Sequence, residues 1–211
     1  MEISLSRVHF PVTTLGPGRR VGIWMQGCSI RCPGCISSDT WAKKVPGTTV
    51  DELLMRVGSW LKDCDGVTIS GGEPFEQAAA LEQMLRGIRK LTAASILVYS
   101  GRRFSLLTEE PSVTAGLIDC MISEPFELSS PQTKHLMGSD NQRMTCLTPL
   151  GRKVFGPLNR LANDSDRRLD VMFDDDGVVW LAGIPGRGDM ARLQTLLEEG
   201  GTYLRTTEAK A

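Results

Sequence analysis

Residues 21–35 read VGIWMQGCSIRCPGC, an apolar run that leads directly into three closely spaced cysteines. The run at 21–25 follows a Gly-Pro-Gly turn at 16–18, and its short, apolar pattern is typical of a buried strand. Glycine and proline in the cysteine segment favour a loop there. The stretch therefore predicts a buried strand that carries a cysteine loop at its carboxyl end.

The three cysteines of this loop are Cys28, Cys32 and Cys35, with the spacing C-x3-C-x2-C. Thiolates this close can converge on one metal centre, but a closed zinc site needs four ligands, and neither His9 nor His135 lies at ligand spacing. Three ligands leave one coordination position open, so one iron of a four-iron cluster could bind a substrate directly. A zinc site completed by a distant cysteine and a group of three buried thiols remain as alternatives.

Downstream of the cysteines, strand and helix patterns alternate. Thr49 and Glu52 have the spacing of a capping box, and apolar residues then recur at helical intervals. The further predicted elements are strands at 67–70, 96–99 and about 118–123 and a helix at about 76–91. This alternation predicts an α/β protein with an open parallel sheet and right-handed crossovers.

The pattern changes after the fourth predicted strand. Residues 126–145 are polar and rich in turn formers, which predicts a long loop. Two short strands, at 169–173 and 178–181, flank the turn sequence DDDG at 174–177 and predict a hairpin.

A last helix is predicted from about Asp189. Its inward apolar residues are expected to be Met190, Leu193, Leu196 and Leu197. Just before it, Arg187 is a candidate for binding an anionic substrate. We expect one domain over 1–211, with a core at about 18–145 and a C-terminal cover, hairpin and helix included, at about 146–211.

The segment SGGEP at 70–74 ends the second predicted strand. Paired glycines allow a ligand to approach the backbone, and ligand loops of parallel sheets lie at the carboxyl ends of strands. A plain strand-to-helix turn, with Pro74 in the first helical turn, is the alternative. At the end of the third strand, Ser100 fits a ribose or carboxylate contact and a simple turn equally well.

Composition excludes several kinds of partner. The net charge is −1, and no basic stripe with interleaved aromatics is present, so we expect neither nucleic acid nor a membrane surface as partner. No apolar run reaches the ~20 residues of a membrane span, and the amino terminus lacks a secretion signal, which favours a cytoplasmic protein. The solitary Cys64, Cys120 and Cys146 are expected to be buried apolar residues, and Trp41 a packing residue.

The segment GPGRRVGIWMQGCSIRCPGCISSDTW at 16–41 resembles the opening of radical S-adenosylmethionine enzymes, in particular the short branch that contains the activating enzyme of anaerobic ribonucleotide reductase. The resemblance is strongest over 8–76 and weaker to about 145. It implies a partial (βα)6-type barrel, a [4Fe-4S] cluster on the three cysteines, and S-adenosylmethionine chelated to the unligated iron. An external reductant would supply one electron, which breaks the sulfonium bond and gives a 5′-deoxyadenosyl radical.

The resemblance also assigns residues to the cofactor. Those implied to contact S-adenosylmethionine are Gly34 and Ile36 at the adenine, and Ser70, Gly71, Gly72, Glu73 and Pro74 around the amino group. Ser100 is added as a candidate from its position at the end of the third strand. Ile36, Ser123 and Glu124 depart from the residues usual in the family, which puts a contact at the fourth strand in doubt. Residues 138–143 resemble a GS-x-NQ segment of the reductase activators, for which we favour a structural role.

Three functions follow from these observations. The first is an enzyme that generates a radical on a partner protein, like the activators of glycyl radical enzymes. The second is the same chemistry directed at a small metabolite or a peptide. The third is a non-catalytic iron–sulfur module of a larger assembly, against which the intact GGEP segment argues.

Overall fold

The computed structural model describes residues 1–43, 45–173 and 178–203. The strands are β1 (Glu2–Ile3), β2 (Leu5–Val12), β3 (Arg20–Met25), β4 (Thr48–Thr49), β5 (Gly66–Gly71), β6 (Ser95–Tyr99), β7 (Cys120–Ser123), β8 (Arg143–Cys146), β9 (Leu169–Phe173) and β10 (Val179–Gly183). The α-helices are α1 (Val50–Asp63), α2 (Ala78–Leu91), α3 (Pro111–Thr114), α4 (Pro149–Phe155) and α5 (Asp189–Glu199). Short 3-10 helices lie at Ser38–Thr40, Pro74–Gln77, Phe104–Leu106, Gly156–Leu158 and Asp164–Asp166.

Six strands form one central sheet in the order β2-β3-β5-β6-β7-β8. The inner four, β3, β5, β6 and β7, are parallel, while β2 and β8 run antiparallel at the two edges. The prediction of an α/β protein with a largely parallel sheet is therefore confirmed. In the described part of the chain only four strands are parallel, so the six-unit barrel is not confirmed.

Helices α1 and α2 cover one face of this sheet. The predicted capping box begins α1: the Glu52 amide donates to Thr49 Oγ1, and the Thr49 amide donates to the Glu52 carboxylate at 2.8 Å. Alternate strand residues such as Ile23 and Ile69 pack against buried leucines and valines of the two helices. Each fully buried aliphatic side chain stabilises the fold by about 1.5–3 kcal/mol. No helix among the described residues is long and apolar enough to cross a membrane.

The amino end of the sheet is closed by Arg20, whose burial is complete. Its guanidinium donates to Thr68 Oγ1 at 2.7 Å, to the carbonyls of Val67 and Ser95 at 2.8 and 3.0 Å, and to Ser95 Oγ at 3.1 Å. The guanidinium also lies 5.3 Å from the ring of Phe155, which connects the sheet to α4. Burial lowers the pKa of Arg20 to about 10. The burial of this charged side chain is not predictable from the sequence pattern.

Two sequence predictions are wrong in part. Residues 143–145 belong to β8 and not to a loop, because an edge strand of four residues is stabilised by backbone pairing with β7 rather than by an apolar pattern of its own. In α5, Met190 is buried and Leu193 and Leu197 are half-buried, but Leu196 is 57% exposed and is not an inward residue. The predicted turn at 174–177 lies outside the described residues.

The hairpin β9–β10 packs against the first two strands of the sheet. Met172 and Ala182 are buried against Val12, Leu15 and Trp24. A second anchor is polar, since the Asp170 carboxylate accepts hydrogen bonds from the backbone amides and hydroxyls of Thr13 and Thr14 at 2.6–3.1 Å. The hairpin and the start of α5 thereby reach the carboxyl end of the parallel strands.

Candidate iron–sulfur and S-adenosylmethionine site

A cavity of about 210 Å³ lies at the carboxyl ends of β3, β5 and β6. Of the residues implicated as cofactor ligands, those that line it are Cys28, Cys32, Gly34, Cys35, Ile36, Ser70, Gly71, Gly72, Glu73 and Ser100. Pro74 is not part of this wall; it is buried at the first position of the 3-10 helix after β5. The fold thus brings two distant sequence segments, the cysteine loop and the SGGE turn, to one site.

Backbone hydrogen bonds join these two segments. The Glu73 amide donates to the Gly27 carbonyl, and the Gly72 amide donates to the Met25 carbonyl, both at 2.8 Å. A Cβ at position 72 would clash with the Gly27 carbonyl oxygen, so no other residue fits there without a backbone shift. Gly27 itself has a φ of +102°, a conformation that favours glycine. These glycines are therefore needed for close contact between the loop and the turn.

A carboxylate from the next helix fixes the cysteine loop from outside. Glu76 accepts hydrogen bonds from the Ser29 amide at 2.6 Å and from the Ser29 hydroxyl at 2.5 Å. Burial acts to raise the pKa of Glu76, but the two bonds from Ser29 together with the charges of Lys43 and Arg102 outweigh it, so the pKa is lowered. On the other side, the Cys28 amide donates to the Trp41 carbonyl at 3.1 Å. The start of the cysteine loop is therefore fixed by two separate segments of the chain.

N–H groups are directed at two of the cysteine sulfurs. Cys32 receives the backbone N–H of Phe126, and Cys35 receives the backbone N–H of Ser37 and the indole N–H of Trp41. Burial raises the pKa of both thiols, so metal binding would have to displace their protons. Trp41, predicted to be a packing residue, is thus also a donor at the site. Hydrogen bonds to sulfur ligands tune the potential of an iron–sulfur cluster.

The donor set fits a cluster of four irons. All six cysteines are free, and the three in the loop are half-buried at the cavity. Among the described residues, no group of three or more Cys, His, Asp or Glu is arranged around a single metal ion. The thiolates of a four-iron cluster each bind a different iron and need not converge on one point.

Glu73 supplies a buried carboxylate to the same cavity, with 1% of its surface exposed. It accepts hydrogen bonds from the Ser100 hydroxyl at 2.8 Å, the Gly101 amide at 2.8 Å and the Phe75 amide at 3.1 Å. Burial raises the pKa of Glu73, and within the described ranges no basic group lies within ion-pair distance of it. A cationic ligand group, such as an amine, would supply the missing charge.

Of two further segments singled out by the sequence, one lines the cavity and the other does not. Ser123 and Glu124 do not line the cavity: Ser123 is fully buried, and the Glu124 carboxylate accepts from the Phe104 amide at 3.0 Å. In the 138–143 segment, by contrast, Gly138 and Gln142 are in the wall, and Gln142 Oε1 accepts from the Gly138 amide at 2.8 Å. The side chain of Gln142 closes its own turn, in line with a structural role.

The remaining cysteines lie away from this site. Cys120 is buried in β7 and stands opposite Cys146 in β8, with the two sulfurs 4.0 Å apart. Cys64 follows α1 and is half-buried. None of the three reaches the cavity, so they do not extend the set of candidate ligands.

A family model described as a 4Fe-4S single cluster domain matches residues 14–145, more than half of the chain. The chain belongs to this family. It is similar to the pyruvate formate-lyase-activating enzyme of Staphylococcus epidermidis, at 37% identity over 83 residues, which are 36% of this chain and 33% of the relative. The corresponding enzyme of Staphylococcus aureus (strain USA300) is 37% identical over 84 residues, 37% of this chain and 34% of the relative.

These matches span about a third of the length of the curated relatives. A solved structure, QueE from Escherichia coli, is similar at a TM-score of 0.41 and 20% identity, over 48% of this chain and 53% of that one. The family and the activating-enzyme relatives confirm the resemblance seen in the sequence, and they imply a [4Fe-4S] cluster and S-adenosylmethionine as cofactors.

Proposed function

We propose that this protein is an activating enzyme that uses its two cofactors to generate a radical on a partner protein. Cys28, Cys32 and Cys35 hold the cluster and leave one iron without a protein ligand. When bound, the reduced cluster and S-adenosylmethionine supply a one-electron cleavage of the sulfonium, which releases methionine and a 5′-deoxyadenosyl radical. The electron comes from an external reductant.

The observation that carries this proposal is that three cysteine thiols and one buried carboxylate share a single cavity. An electron carrier needs the thiols alone. The Glu73 carboxylate, which has hydrogen-bond donors but no basic partner among the described residues, offers a cation site beside them. The amino group of S-adenosylmethionine has the charge and the donors to fill that site.

In the proposal, the residues on each side of the cavity bind a different part of S-adenosylmethionine. The SGGE turn positions the methionine part of S-adenosylmethionine through Glu73 and the backbone of Ser70, Gly71 and Gly72. Ser100, already bonded to Glu73, orients that carboxylate. Gly34 and the aliphatic side chain of Ile36, which is 49% exposed, face the adenine. Pro74 shapes the turn from behind without touching the ligand.

The partner is a protein in this proposal because the relatives that share the cysteine region are named as activating enzymes of an enzyme, pyruvate formate-lyase. The chain would act as one cytoplasmic domain, its parallel strands curved as part of a barrel. Residues 146–211 would cover the core.

The test is product analysis under anaerobic conditions. The full chain, reconstituted with iron and sulfide and reduced with dithionite, is incubated with S-adenosylmethionine, and methionine and 5′-deoxyadenosine are quantified. We expect both products in equal amounts, and an organic radical signal in a glycyl radical enzyme added as partner. Absence of 5′-deoxyadenosine from a fully loaded cluster would refute the enzyme and favour the iron–sulfur module.

Deuterium labelling then distinguishes a protein substrate from a small metabolite or a short peptide. A partner protein labelled at its glycines should pass deuterium into 5′-deoxyadenosine. Transfer from a labelled small metabolite or short peptide, and none from a protein, would contradict radical generation on a partner protein while leaving the cleavage reaction intact.

A further inference from the structure

Arg187 connects the C-terminal segment to the loop on the far side of the cavity. One guanidinium nitrogen donates to the carbonyls of Glu127, Ser130 and Gly138 at 3.2–3.3 Å. The guanidinium also lies over the ring of Phe126, 4.7 Å from its centroid. A planar cation can combine stacking with several hydrogen bonds, and an ammonium cannot reproduce that arrangement.

The residues on either side of Phe126 are also held in place by hydrogen bonds. The Asn141 side chain donates to the Pro125 carbonyl at 2.7 Å, and the Glu127 amide donates to the buried hydroxyl of Ser139 at 3.1 Å. A Cβ at Gly138 would come within 3.1 Å of the Phe126 ring, so the backbone there packs directly against it. The residues on both sides of Phe126 are therefore fixed by the 138–142 segment.

The constrained residue faces a candidate cluster ligand. Phe126 and Cys32 line the same cavity, and a hydrogen bond from the Phe126 backbone N–H acts on the Cys32 thiol. We infer that Arg187 and Asn141 are positioning residues for the cluster: by fixing Phe126, they orient the N–H that it donates to Cys32 and so raise the reduction potential. The inference rests on the proposed cluster site and adds a regulator of its potential.

The direction of the effect follows from charge. Reduction adds a negative charge to the cluster, and an N–H donor at a ligand sulfur stabilises the more negative state. A loosened Phe126 would weaken that donor, and the potential would fall. The cluster would then be harder to reduce by the same external reductant, although its three protein ligands would be unchanged.

The experiment compares cluster potentials in five variants of the full chain. R187Q, R187K, F126L and N141A are reconstituted anaerobically, together with R192Q as a control at an exposed arginine of α5. Each variant is titrated with dithionite while its EPR signal is followed. We expect R187Q to have the lowest potential, N141A and F126L to shift the same way with no change of charge, R187K to shift less, and R192Q to match the wild type.

A second readout does not need the cluster. In the metal-free protein, hydrogen exchange at the Phe126 amide should be several-fold faster in R187Q and N141A than in R192Q. Potentials of N141A and F126L equal to that of the wild type would overturn the inference, because Arg187 would then act through its charge alone. If R187Q does not fold, R187K and N141A decide the question.

The outcomes also separate this inference from the proposed function. Shifted potentials in a protein that makes no 5′-deoxyadenosine would refute the activity and keep the positioning role. Full production of 5′-deoxyadenosine with potentials that do not differ among the variants would refute the positioning role and keep the activity.

Discussion

At the amino end of the parallel strands the guanidinium of Arg20 is completely buried, whereas at the carboxyl end the sulfurs of Cys28 and Cys32 line a cavity. Arg20 is satisfied by oxygens of the sheet itself. Glu73, at the opposite end, keeps a buried carboxylate without a basic partner in the described part of the chain. One end therefore uses its buried polar group for stability, and the other leaves its polar groups available to ligands.

The largest expected effect of a single change is at the amino end of the parallel strands, the closed end, where Arg20 is buried. Arg20→Met would remove the donors that Arg20 supplies to the carbonyls of Val67 and Ser95, and we expect a loss of about 3–5 kcal/mol in the free energy of unfolding. Arg19→Met is the matched control, because Arg19 is exposed and its guanidinium stacks on Phe10. Urea denaturation measures both. Equal losses in the two variants would show that the closed end is not a stabilising plug.

A smaller effect is expected at the carboxyl end of the parallel strands, the open end, where Glu76 binds the cysteine loop. Glu76→Gln removes the charge from the two hydrogen bonds with Ser29 and should weaken retention of the cluster by about 10–100-fold. The measurement is the rate at which a chelator removes iron from the reconstituted protein. Glu82→Gln, on the exposed side of α2, should leave that rate unchanged. Identical rates in the two variants would mean that Glu76 does not support the cysteine loop.

The buried carboxylate should make stability depend on pH. Burial raises the pKa of Glu73 above its ordinary value of 4.5, so the folded state holds this proton more tightly than the unfolded state. The stability it contributes is full below about pH 4.5 and is lost as the pH rises through the raised pKa. The loss is about 1.4 kcal/mol for each pH unit that separates the folded-state pKa from the unfolded-state pKa.

Glu73→Gln removes this titration. Urea midpoints of the metal-free protein, taken in steps from pH 4 to pH 8, should fall less with pH in Glu73→Gln than in the wild type or in Glu82→Gln. Binding of S-adenosylmethionine to the wild type should tighten as Glu73 ionises. A pH slope that is the same in all three proteins would contradict the assignment of Glu73 as a buried acid.

The smallest effect concerns the hairpin that reaches the open end. Asp170→Asn keeps one acceptor for Thr13 and Thr14 but loses the charge, at a cost of about 1 kcal/mol. Hydrogen exchange should accelerate in β10 and remain unchanged in α1. Asp164→Asn is the control. Faster exchange throughout the chain would indicate general destabilisation in place of release of the hairpin.

The closed and open ends also differed in how well the sequence predicted them. Short apolar runs and the capping box at Thr49 and Glu52 identified β3, β5, β6 and α1, because the local pattern decides those elements. The cysteine spacing and the SGGE turn identified the candidate ligands. The burial of Arg20 was not predicted, since the sheet oxygens that accept its hydrogen bonds lie 47–75 residues away along the chain.

Contacts between distant residues around the cavity could not be predicted from the sequence either. Trp41, Phe126 and Glu76 contact the cysteine loop through contacts that only the folded chain creates, and neither residue type nor spacing indicated them. Leu196 was assigned inward by a regular helical pattern, but in the folded chain more than half of its surface is exposed. Periodicity specified the elements, while the tertiary contacts specified which residues surround the site.

The most direct test of the central claim is the iron and sulfide content of two triple variants after anaerobic reconstitution. One replaces Cys28, Cys32 and Cys35 by alanine; the other replaces the three cysteines outside the cavity, Cys64, Cys120 and Cys146. We predict no cluster in the first variant and about four irons per chain, with the wild-type EPR signal, in the second. A cluster retained in the first variant, or lost from the second alone, would contradict the assignment of the open end as the cofactor site.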